Sequence, residues 1–477
     1  MLPAGSQDAV DSFYHLHGED PAALPCQGLA CFAARAQAPA AWRAAQRQDR
    51  GLYCHGQCHQ PPGAPPVRPH IASLLPHSVL LDNVLAGGIH DFGAYLARGG
   101  GVALQQARRM SQAELLQALD DSGLRGRGGA GFPAGRKWRA AAAASGSRKY
   151  LVVNADEGDP GSFSDRYLLE DDPYCLIEAC LIAAQAIGAR HGVIYLRKEY
   201  PHAARVLQVA LQQARDADWL GTDFELTLHI GDGSYLCGEE TALLNALEGK
   251  RPEVRLRPPQ ITAHGLHGQP TLLHNVETLC AVPWIIRHGA AAYAALGVGR
   301  SRGSKLLSLN ASFNRPGLYE VPFGLPLSAI VTELGLGLRH GQLRGLMIGG
   351  PLAGLVPPAL LDTPLDYEAL HAIGCAVGHG GVIAFADDTP LLAIMAEVFR
   401  FGARESCGKC TPCHYGAAEL ARQFAAAADG QAIDGARCRA LLDNLAQASL
   451  CGHGRGLAEF AHALQRHYPE ELRACLA

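Results

Sequence analysis

The 477-residue chain lacks a long uninterrupted apolar run and any strong excess of charge. Its most apolar stretch, 175–196, is broken by Glu178, Gln185 and Arg190, so it predicts a buried helix and a strand rather than a membrane span. The net charge of -4 argues against a nucleic-acid binder that works by bulk charge. No basic segment followed by an apolar core opens the chain, so we expect no secretory leader, no direct membrane insertion and a cytoplasmic location.

The chain is rich in cysteine, with 15 residues. Disulfide frameworks belong to oxidising compartments, so these cysteines point instead to metal or redox chemistry. Some are scattered in apolar or helical surroundings and are expected in the core: Cys175, Cys180, Cys237, Cys280, Cys375, Cys438 and Cys475. The others form two groups, one near each end of the chain.

Strand-like and helix-like segments alternate in the middle of the chain. The predicted strands are 150–154, 192–196 and 224–230, and the predicted helices are 173–189 and 239–248. Such alternation is typical of a parallel sheet in an α/β fold, whose ligands bind beyond the carboxyl ends of the strands. Asp156 and Glu157 follow the first strand, and residues 231–240 follow the third. We therefore expect both loops at the ligand-binding edge.

A glycine-rich segment, 126–131, matches the pattern G-x-G-x-x-G. The dinucleotide fingerprint requires a strand before it, whereas the capping-box pair Ser111 and Glu114 predicts a helix there. A standard Rossmann fingerprint is therefore not expected. Two interpretations stay open: a loop that ends a helix, or a loop whose backbone N–H groups approach a phosphate that Lys137 neutralises.

The C-terminal cysteine group consists of Cys407, Cys410 and Cys413, spaced C-x2-C-x2-C, and the downstream Cys451. Four cysteine thiolates are the usual ligands of a 4Fe–4S cluster. A Thr-Pro pair just before Cys413 predicts a helix N-terminus, whose dipole favours a negatively charged cluster. Zinc is the alternative, although it tends to use C-x2-C pairs.

Five collinear motifs resemble the flavin-bearing, NADH-oxidising subunit of respiratory complex I, a module also found in NAD-dependent formate dehydrogenases and NAD-reducing hydrogenases. The segments of this chain, each with the family pattern it resembles, are 124–138 (family pattern GLRGRGGAGFP-G-KW), 154–161 (NADE-EPG), 235–243 (Y-CGEETAL), 275–279 (NVETL) and 405–413 (ESCGKCTPC). The resemblance covers residues 80–477. It implies a Rossmann-like FMN-binding α/β domain, a small β-grasp-like domain and a C-terminal helical bundle that carries the 4Fe–4S cluster.

The resemblance implies a non-covalent FMN, with NAD(H) stacked over it and single electrons passing to the cluster. The residues implied to bind cofactor are Gly126, Arg127, Gly128, Phe132, Lys137, Asn154, Asp156, Tyr235, Gly238, Glu239, Asn275 and Thr278. Glu157 and Glu240 are implied to lie toward the nicotinamide nucleotide as catalytic residues. Taken alone, Glu239 and Glu240 also fit the plainer role of acids at a helix N-terminus.

The implied nucleotide pocket departs from the family pattern. Asparagine is usual where His274 stands, glutamate where Asp159 stands, and lysine is common where Arg257 stands. Aromatic residues usually occupy the places of Ala140 and Gln260. Each lost stacking contact is worth about 0.5–1.5 kcal/mol, so we expect secure FMN binding but a weaker or altered preference for NAD(H).

The N-terminal group consists of Cys26, Cys31, Cys54 and Cys58. It resembles the ligand pattern of the thioredoxin-like 2Fe–2S subunit that partners the flavoprotein in complex I. Four cysteines suffice for a 2Fe–2S cluster. Because the segment is short, zinc and a vestigial site stay open as alternatives.

We expect a truncated thioredoxin-like segment at 1–75, an FMN- and NAD(H)-binding domain at 76–304, a β-grasp-like domain at 305–390 and a helical 4Fe–4S domain at 391–477. The resemblance implies an NAD(H)-dependent diaphorase subunit, closest to the beta subunit of soluble formate dehydrogenases. Its implied partners are a thioredoxin-like 2Fe–2S subunit and a large catalytic subunit, and no nucleic acid. The alternatives are a diaphorase subunit of a hydrogenase or other reductase, and an electron-transfer subunit with a degenerate NAD site.

Overall fold

The structure, a computed structural model, describes residues 14–48 and 50–476. Its strands form sheets of four, five and two strands. They are β1 (His70–Ser73), β2 (Tyr150–Ala155), β3 (His191–Leu196), β4 (Glu225–Ile230), β5 (Thr271–Asn275), β6 (Gly297–Val298), β7 (Ser301–Arg302), β8 (Ser304–Leu309), β9 (Gly317–Pro322), β10 (Leu343–Ile348) and β11 (Gly381–Ala386).

The α-helices surround these sheets and fill the C-terminal region. In the described ranges they are Leu29–Ala33, Pro39–Gln46, Asp82–Leu85, Phe92–Ala97, Val102–Ala107, Gln112–Ser122, Ala134–Ala143, Ser164–Asp171, Pro173–Ile187, Pro201–Asp216, Glu240–Leu247, Val276–His288, Ala290–Ala294, Leu327–Ala329, Tyr367–Ala372, Leu391–Arg404, Ala417–Ala428, Gly435–Ala448, Gly452–His467 and Pro469–Leu476. None of them is both long and apolar enough to cross a bilayer.

The four-stranded sheet is wholly parallel, in the order β4-β3-β2-β5. Leu151, Val152 and Val153 of β2 are fully buried, as expected for a strand with both faces covered. The predicted α/β fold and its first three strands are confirmed, and β5 is an additional strand. The chain order reverses between β2 and β5, and such a switch point opens a crevice at the carboxyl ends of the strands. Asn154 and Asn275 face each other there in register.

The apolar stretch at 175–196 folds as predicted, into helix Pro173–Ile187 and strand β3. Glu178 is buried within that helix, and its carboxylate accepts hydrogen bonds from the hydroxyl of Tyr95 and the backbone N–H groups of Gly101 and Leu104. These bonds satisfy the charge in the protein interior, since a buried carboxylate without partners would be strongly unfavourable.

The five-stranded sheet has the order β1-β9-β8-β11-β10 and is mixed. Strands β8 and β9 pair antiparallel, whereas β1 joins β9 and β11 joins β8 in parallel. Strands β9 to β11, and β8 apart from its first residue, lie within the range predicted for the small β-grasp-like domain, whereas β1 lies far before it in the chain. The edge strand β1 therefore comes from residues that precede the α/β domain in the chain.

The C-terminal helices pack against one another through apolar side chains. The rings of Phe399 and Phe424, on helices Leu391–Arg404 and Ala417–Ala428, have centroids 4.9 Å apart. The first of these helices begins at Leu391, since Pro390 has an extended ψ of 138° and is the N-cap.

Buried charges join the α/β domain to the five-stranded sheet. Lys305 of β8 pairs with Glu277 of helix Val276–His288, and both side chains are 0% exposed. Glu277 also accepts the backbone N–H of Leu306 at 3.0 Å. The buried guanidinium of Arg127 donates to the hydroxyl of Tyr293 at 2.9 Å and to the carbonyl of Arg302 at 2.6 Å. The relative position of the two sheets thus depends on paired polar groups.

Replacing Lys305 with methionine tests this junction. The substitution leaves Glu277 buried without its cation, so we expect a loss of about 3–5 kcal/mol of stability, measured as a lower urea midpoint by circular dichroism. The control is Lys250→Met, because Lys250 is 61% exposed and its pair with Glu248 contributes about 0–1 kcal/mol. Equal midpoints for the two variants would contradict this role.

Candidate functional site

A cavity of about 800 Å³ opens at the carboxyl edge of the four-stranded sheet. It lies where the ends of β2 and β5 meet the glycine-rich loop, and residues from the small domain and from the C-terminal helices complete its wall. Its volume is within the usual range for cofactor sites, and its position is the switch point of the sheet.

The structure brings most of the sequence-predicted cofactor residues together in this cavity. Its lining includes Gly126, Gly128, Phe132, Lys137, Asn154, Asp156, Tyr235, Gly238, Glu239, Glu240, Asn275 and Thr278. The positions that depart from the family pattern line it too: Ala140, Asp159, Arg257, Gln260 and His274. Arg127 and Glu157 are not part of the lining.

The glycine-rich loop follows helix Gln112–Ser122, whose capping box is present as predicted, and does not follow a strand. The backbone N–H of Arg127 donates to Thr278 Oγ1 at 2.8 Å, while its side chain points away into the junction with the small domain. A Cβ on Gly128 would lie 2.9 Å from Asn275 Cβ, so only glycine allows this close approach.

Two glycines leave space for a ligand. A Cβ on Gly126 would be at least 3.6 Å, and one on Gly238 at least 3.7 Å, from the nearest non-neighbouring protein atom. Both residues line the cavity, and the protein itself therefore does not require glycine there. A bound group that approaches the backbone at these two points would require it.

Asparagines fix the shape of the cavity floor. Asn154 Nδ2 donates to the carbonyl of Gly238 at 2.9 Å, and Asn154 Oδ1 accepts the N–H of Asp156 at 3.1 Å. Asn275 Oδ1 accepts the N–H of Thr278 at 3.2 Å. These bonds use both side chains to hold the loops at the ends of β2 and β5.

Two buried polar atoms in the lining have no hydrogen-bond partner within the described part of the chain, Asp156 Oδ2 and His274 Nε2. Burial raises the pKa of Asp156 well above its usual value. Burial, with a smaller effect of Lys137, lowers the pKa of His274 well below its usual value. Both shifts favour the neutral form of the group, and both unpartnered atoms can bond a polar ligand such as a ribityl chain or flavin ring.

The cavity also has charged side chains in its lining. Glu239 caps helix Glu240–Leu247 by accepting the N–H groups of Thr241 at 2.8 Å and Ala242 at 2.9 Å, and its other oxygen pairs with Arg257 at 2.6 Å. Glu240 pairs with Lys137 and, at 3.4 Å, with Arg257. Glu239 thus has the plainer capping role, while Lys137 and Arg257 are cations for which a phosphate competes with carboxylates.

Glu157 is buried and lies outside the cavity lining. Its side chain is 1% exposed and caps helix Ser164–Asp171, accepting the N–H groups of Ser164 at 2.6 Å and Arg166 at 3.0 Å. Burial alone would raise the pKa of Glu157, but His379 and these hydrogen bonds hold it below its usual value. Its carboxylate is occupied by these hydrogen bonds.

Asp159, two residues further on, lines the cavity, as Asp156 does. Its Oδ1 accepts the hydroxyl of Tyr235 at 2.7 Å. The sequence marked Asp159 only as a departure from the family pattern. Which of Glu157 and Asp159 turns toward the cavity depends on the helix N-terminus that Glu157 caps, a contact between residues that the motif alone does not connect.

The C-terminal cysteine group is brought together next to the cavity. Burial, and then the charges of Cys410, Cys451 and Cys407, raise the pKa of Cys413 to about 12. Cys413 lies in the first turn after Thr411, as predicted, and Cys451 is the N-cap of helix Gly452–His467 and lines the cavity. Four converging thiols with one at a helix start fit a 4Fe–4S cluster, whose binding would release their protons.

The N-terminal cysteines also meet. Cys54 Sγ lies 3.2 Å from Cys58 Sγ. The pKa of Cys58 is raised well above its usual value by its bond to Cys54, by burial, and by the charges of Cys54, Cys31 and Cys26. The group lies next to the loop after β2, because Arg197 donates to the carbonyl of Cys54 at 2.8 Å and also to that of Glu157. Four thiols thus gather beside this loop, outside the cavity lining.

The remaining cysteines are mostly core residues. Cys180, Cys237, Cys280, Cys375 and Cys438 are buried, and Cys175 is half-buried. The side chain of Cys475 lies outside the described residues. Every described cysteine is a free thiol.

The fold and site define a cofactor-binding α/β domain joined to a cysteine-rich helical domain, and comparisons with known proteins agree. Residues 119–284 match the family model described as the Nuo51 FMN-binding domain. Residues 393–475 match the NADH-ubiquinone oxidoreductase-F iron-sulfur binding region.

Relatives extend the match beyond these regions. The chain is 38% identical over 408 residues to the F 2 subunit of NADH-quinone oxidoreductase of Rhizobium meliloti (strain 1021), covering 83% of this chain and 97% of that protein. It is 38% identical over 371 residues to the HndC subunit of the NADP-reducing hydrogenase of Solidesulfovibrio fructosivorans, covering 76% of each chain.

A solved structure is similar over the full length. A chain of the NAD+-reducing [NiFe]-hydrogenase in the H2-reduced state superposes with a TM-score of 0.84 at 31% identity, covering 100% of this chain and 89% of that chain. The protein therefore belongs to the family of the NADH-quinone oxidoreductase F subunits, whose members carry FMN and a 4Fe–4S cluster.

A methyl group at Gly238 tests the flavin site. Because the protein leaves room for a Cβ there, Gly238→Ala should keep the thermal midpoint of the apoprotein while lowering FMN affinity about tenfold or more, as measured by quenching of flavin fluorescence. The matched control is Gly416→Ala, where a Cβ also has space, outside the cavity lining, and FMN affinity should not change. Equal affinities for both variants would place the flavin elsewhere.

Proposed function

We propose that the protein is an NAD(H)-dependent diaphorase subunit that passes electrons between NAD(H), FMN and a 4Fe–4S cluster. When bound, FMN supplies the exchange between two-electron hydride transfer and one-electron transfer. The observation that carries the proposal is the shared wall between cavity and cluster site. Cys451 lines the cavity, and Leu236 packs with Cys407 and Cys451 next to the cavity residue Tyr235.

The residues of the chain hold and orient the cofactors in this proposal. Asn154, Asp156, His274 and Thr278 offer hydrogen-bonding groups at the cavity floor, and Lys137 offers a cation for the phosphate. The protein contributes orientation and burial to flavin chemistry. Holding the two reacting groups in position lowers the entropy cost of bringing them together.

The nucleotide half of the cavity supports NAD(H) as the hydride donor. The ring of Phe132 lines it and is 53% exposed, so it is available for stacking on an adenine. Ala140 and Gln260 line the same cavity, where they provide no aromatic face. We propose Asp159 and Glu240 as the acids that face the nicotinamide nucleotide, in place of the pair Glu157 and Glu240.

The N-terminal cysteines form a second redox site in this proposal. The convergence of Cys26, Cys31, Cys54 and Cys58 supports a 2Fe–2S cluster over a vestigial segment. These cysteines lie outside the cavity lining, so a cluster there would be a site separate from the flavin site. We also propose a cytoplasmic location, since the described cysteines are all free thiols.

The large partner subunit is proposed to react with formate or with hydrogen. The short N-terminal cysteine segment and the single C-x2-C-x2-C triplet favour an NAD-dependent formate dehydrogenase. The similarity to HndC and to a chain of the NAD+-reducing hydrogenase favours the alternative, a hydrogenase diaphorase. Molybdenum in the co-purified complex would identify the first, and nickel the second.

Anaerobic titration with NADH tests the proposed activity. We expect the flavin absorbance of the FMN- and iron-loaded protein to bleach, and an artificial dye to be reduced with continuous turnover. Loaded protein that responds to neither NADH nor NADPH would contradict the diaphorase proposal and support the degenerate electron-transfer subunit.

The variant Cys410→Ala separates the two steps. Flavin bleaching by NADH should persist, because Cys410 is not part of the cavity lining, whereas electron transfer to the partner complex should be lost. Full turnover of the physiological complex by this variant would show that the 4Fe–4S cluster is not the relay.

Iron analysis distinguishes the N-terminal assignments. With both clusters assembled, Cys58→Ala should lower the iron content by about two per chain and remove one signal from the electron paramagnetic resonance spectrum of the reduced protein. Cys438→Ala, a buried cysteine outside both groups, is the matched control and should keep both signals. Stoichiometric zinc in the wild-type protein, lost in Cys58→Ala, would show a zinc site instead.

A further inference from the structure

A buried histidine from the small domain reaches the wall of the cavity. His379 lies just before β11, its side chain is 9% exposed, and it is part of the cavity lining. Its loop is fixed against the glycine-rich loop, because Gly378 forms a bridge with Gly129. Only glycine fits at position 378, where a Cβ would come 2.2 Å from the carbonyl oxygen of Gly349. His379 is therefore held rigidly between the two domains.

The ring of His379 is tied to the α/β domain by charge. Its Nε2 lies 2.9 Å from Asp165 Oδ2 and 3.6 Å from Glu157 Oε1. Asp165 Oδ2 also accepts Asn275 Nδ2 at 2.6 Å. Asp165 thus connects the imidazole to the asparagine that ends β5 at the switch point.

This group of His379, Asp165 and Glu157 has the residue types of a metal site, and the three ligand atoms lie within 4.8 Å of one another. Its hydrogen bonds argue against metal binding. Glu157 Oε1 already accepts hydrogen bonds from Ser162, Ser164 and the N–H of Asp165 at 3.1 Å, so a metal would displace the cap of helix Ser164–Asp171. The geometry instead fits an ion pair between an imidazolium and two carboxylates.

The other ring nitrogen of His379, Nδ1, forms no hydrogen bond within the described ranges, and the residue lines the cavity. With Nε2 bonded to Asp165, a protonated ring presents Nδ1–H as its remaining donor. A cation in a site of low dielectric acts strongly on a neighbouring redox group, since Coulomb energy rises as water is excluded.

We propose that His379 is a further flavin-binding residue, a fixed cation held by Asp165 at the cavity wall that favours the reduced, more negative form of the cofactor. The inference rests on the proposed placement of FMN in this cavity. Charge near the flavin ring is one of the ways in which a protein sets flavin electronics. His379 thereby makes the small domain a determinant of the flavin potential.

The charges around His379 support its protonation. Burial alone would lower its pKa, but Asp165 of helix Ser164–Asp171 and Glu157 of the loop after β2 raise the pKa of His379 to about 9. Lys305 of β8 opposes this effect, and the other facing acid is Asp159, across the cavity. The ring therefore carries its charge at pH 7 and loses it as the pH rises through about 9.

The midpoint potential of the bound flavin, followed against pH, tests the proposal. In FMN-loaded wild-type protein we expect a change of slope near pH 9, because reduction of the flavin raises the pKa of His379, and between its two pKa values flavin reduction is accompanied by proton uptake on the ring. In His379→Gln the potential at pH 7 should be more negative and the change of slope should be absent. His340→Gln is the control, since His340 pairs with Asp388 at 2.9 Å on the surface, with its side chain 63% exposed.

A second variant keeps the test decisive if His379→Gln does not fold. Asp165→Asn removes the carboxylate that holds the ring charged, so the change of slope should move down toward the ordinary histidine pKa of about 6.5. A wild-type profile with no change of slope near pH 9, or one that Asp165→Asn leaves in place, would overturn the proposal. FMN-loaded His379→Gln with the wild-type potential would overturn this inference alone. Wild-type protein that binds no FMN would overturn the proposed function as well.

Discussion

The parallel pairing of β2 with β5 is the constraint on which the rest of the site depends. It places Asn154 beside Asn275 at the carboxyl edge of the sheet, and the chain order reverses there. The glycine-rich loop reaches this point without a preceding strand, because Thr278, just after β5, accepts the backbone N–H of Arg127. The cavity is therefore a product of sheet topology, and the glycines allow backbone to approach it closely.

Around this crevice, the hydrogen bonds that a buried polar side chain makes decide whether it is available to a ligand. Glu157, which the resemblance implies to be catalytic, and Glu277, which lies within the motif 275–279, both make structural bonds, one at a helix N-terminus and the other with Lys305. Asp156 and His274 differ from them, since each has a buried polar atom without a hydrogen-bond partner in the described part of the chain. A buried polar group is stabilised by a hydrogen-bond partner, and these two atoms of the cavity lining are available to a bound ligand.

The two cysteine groups were predictable to different degrees. The C-x2-C-x2-C spacing is a local pattern, and the position of Cys413 at a helix start also follows from the local sequence. The N-terminal cysteines have no such spacing, and their convergence depends on Arg197 and the loop after β2. Likewise, the capping box at Ser111 is a local signal. Strands β1 and β11 depend instead on pairing with β9 and β8, which lie far from them in the chain.

By itself, the sequence determined the family, the α/β class and most of the residues that line the cavity, because motifs and periodicity record short-range geometry. Only the tertiary structure decided that Asp159 rather than Glu157 faces the cavity and that His379 reaches the same cavity from the small domain. These side chains are placed by partners that lie far away in the chain. Long-range contacts of this kind are selected by packing and by the need to pair buried charges, and no local pattern encodes them.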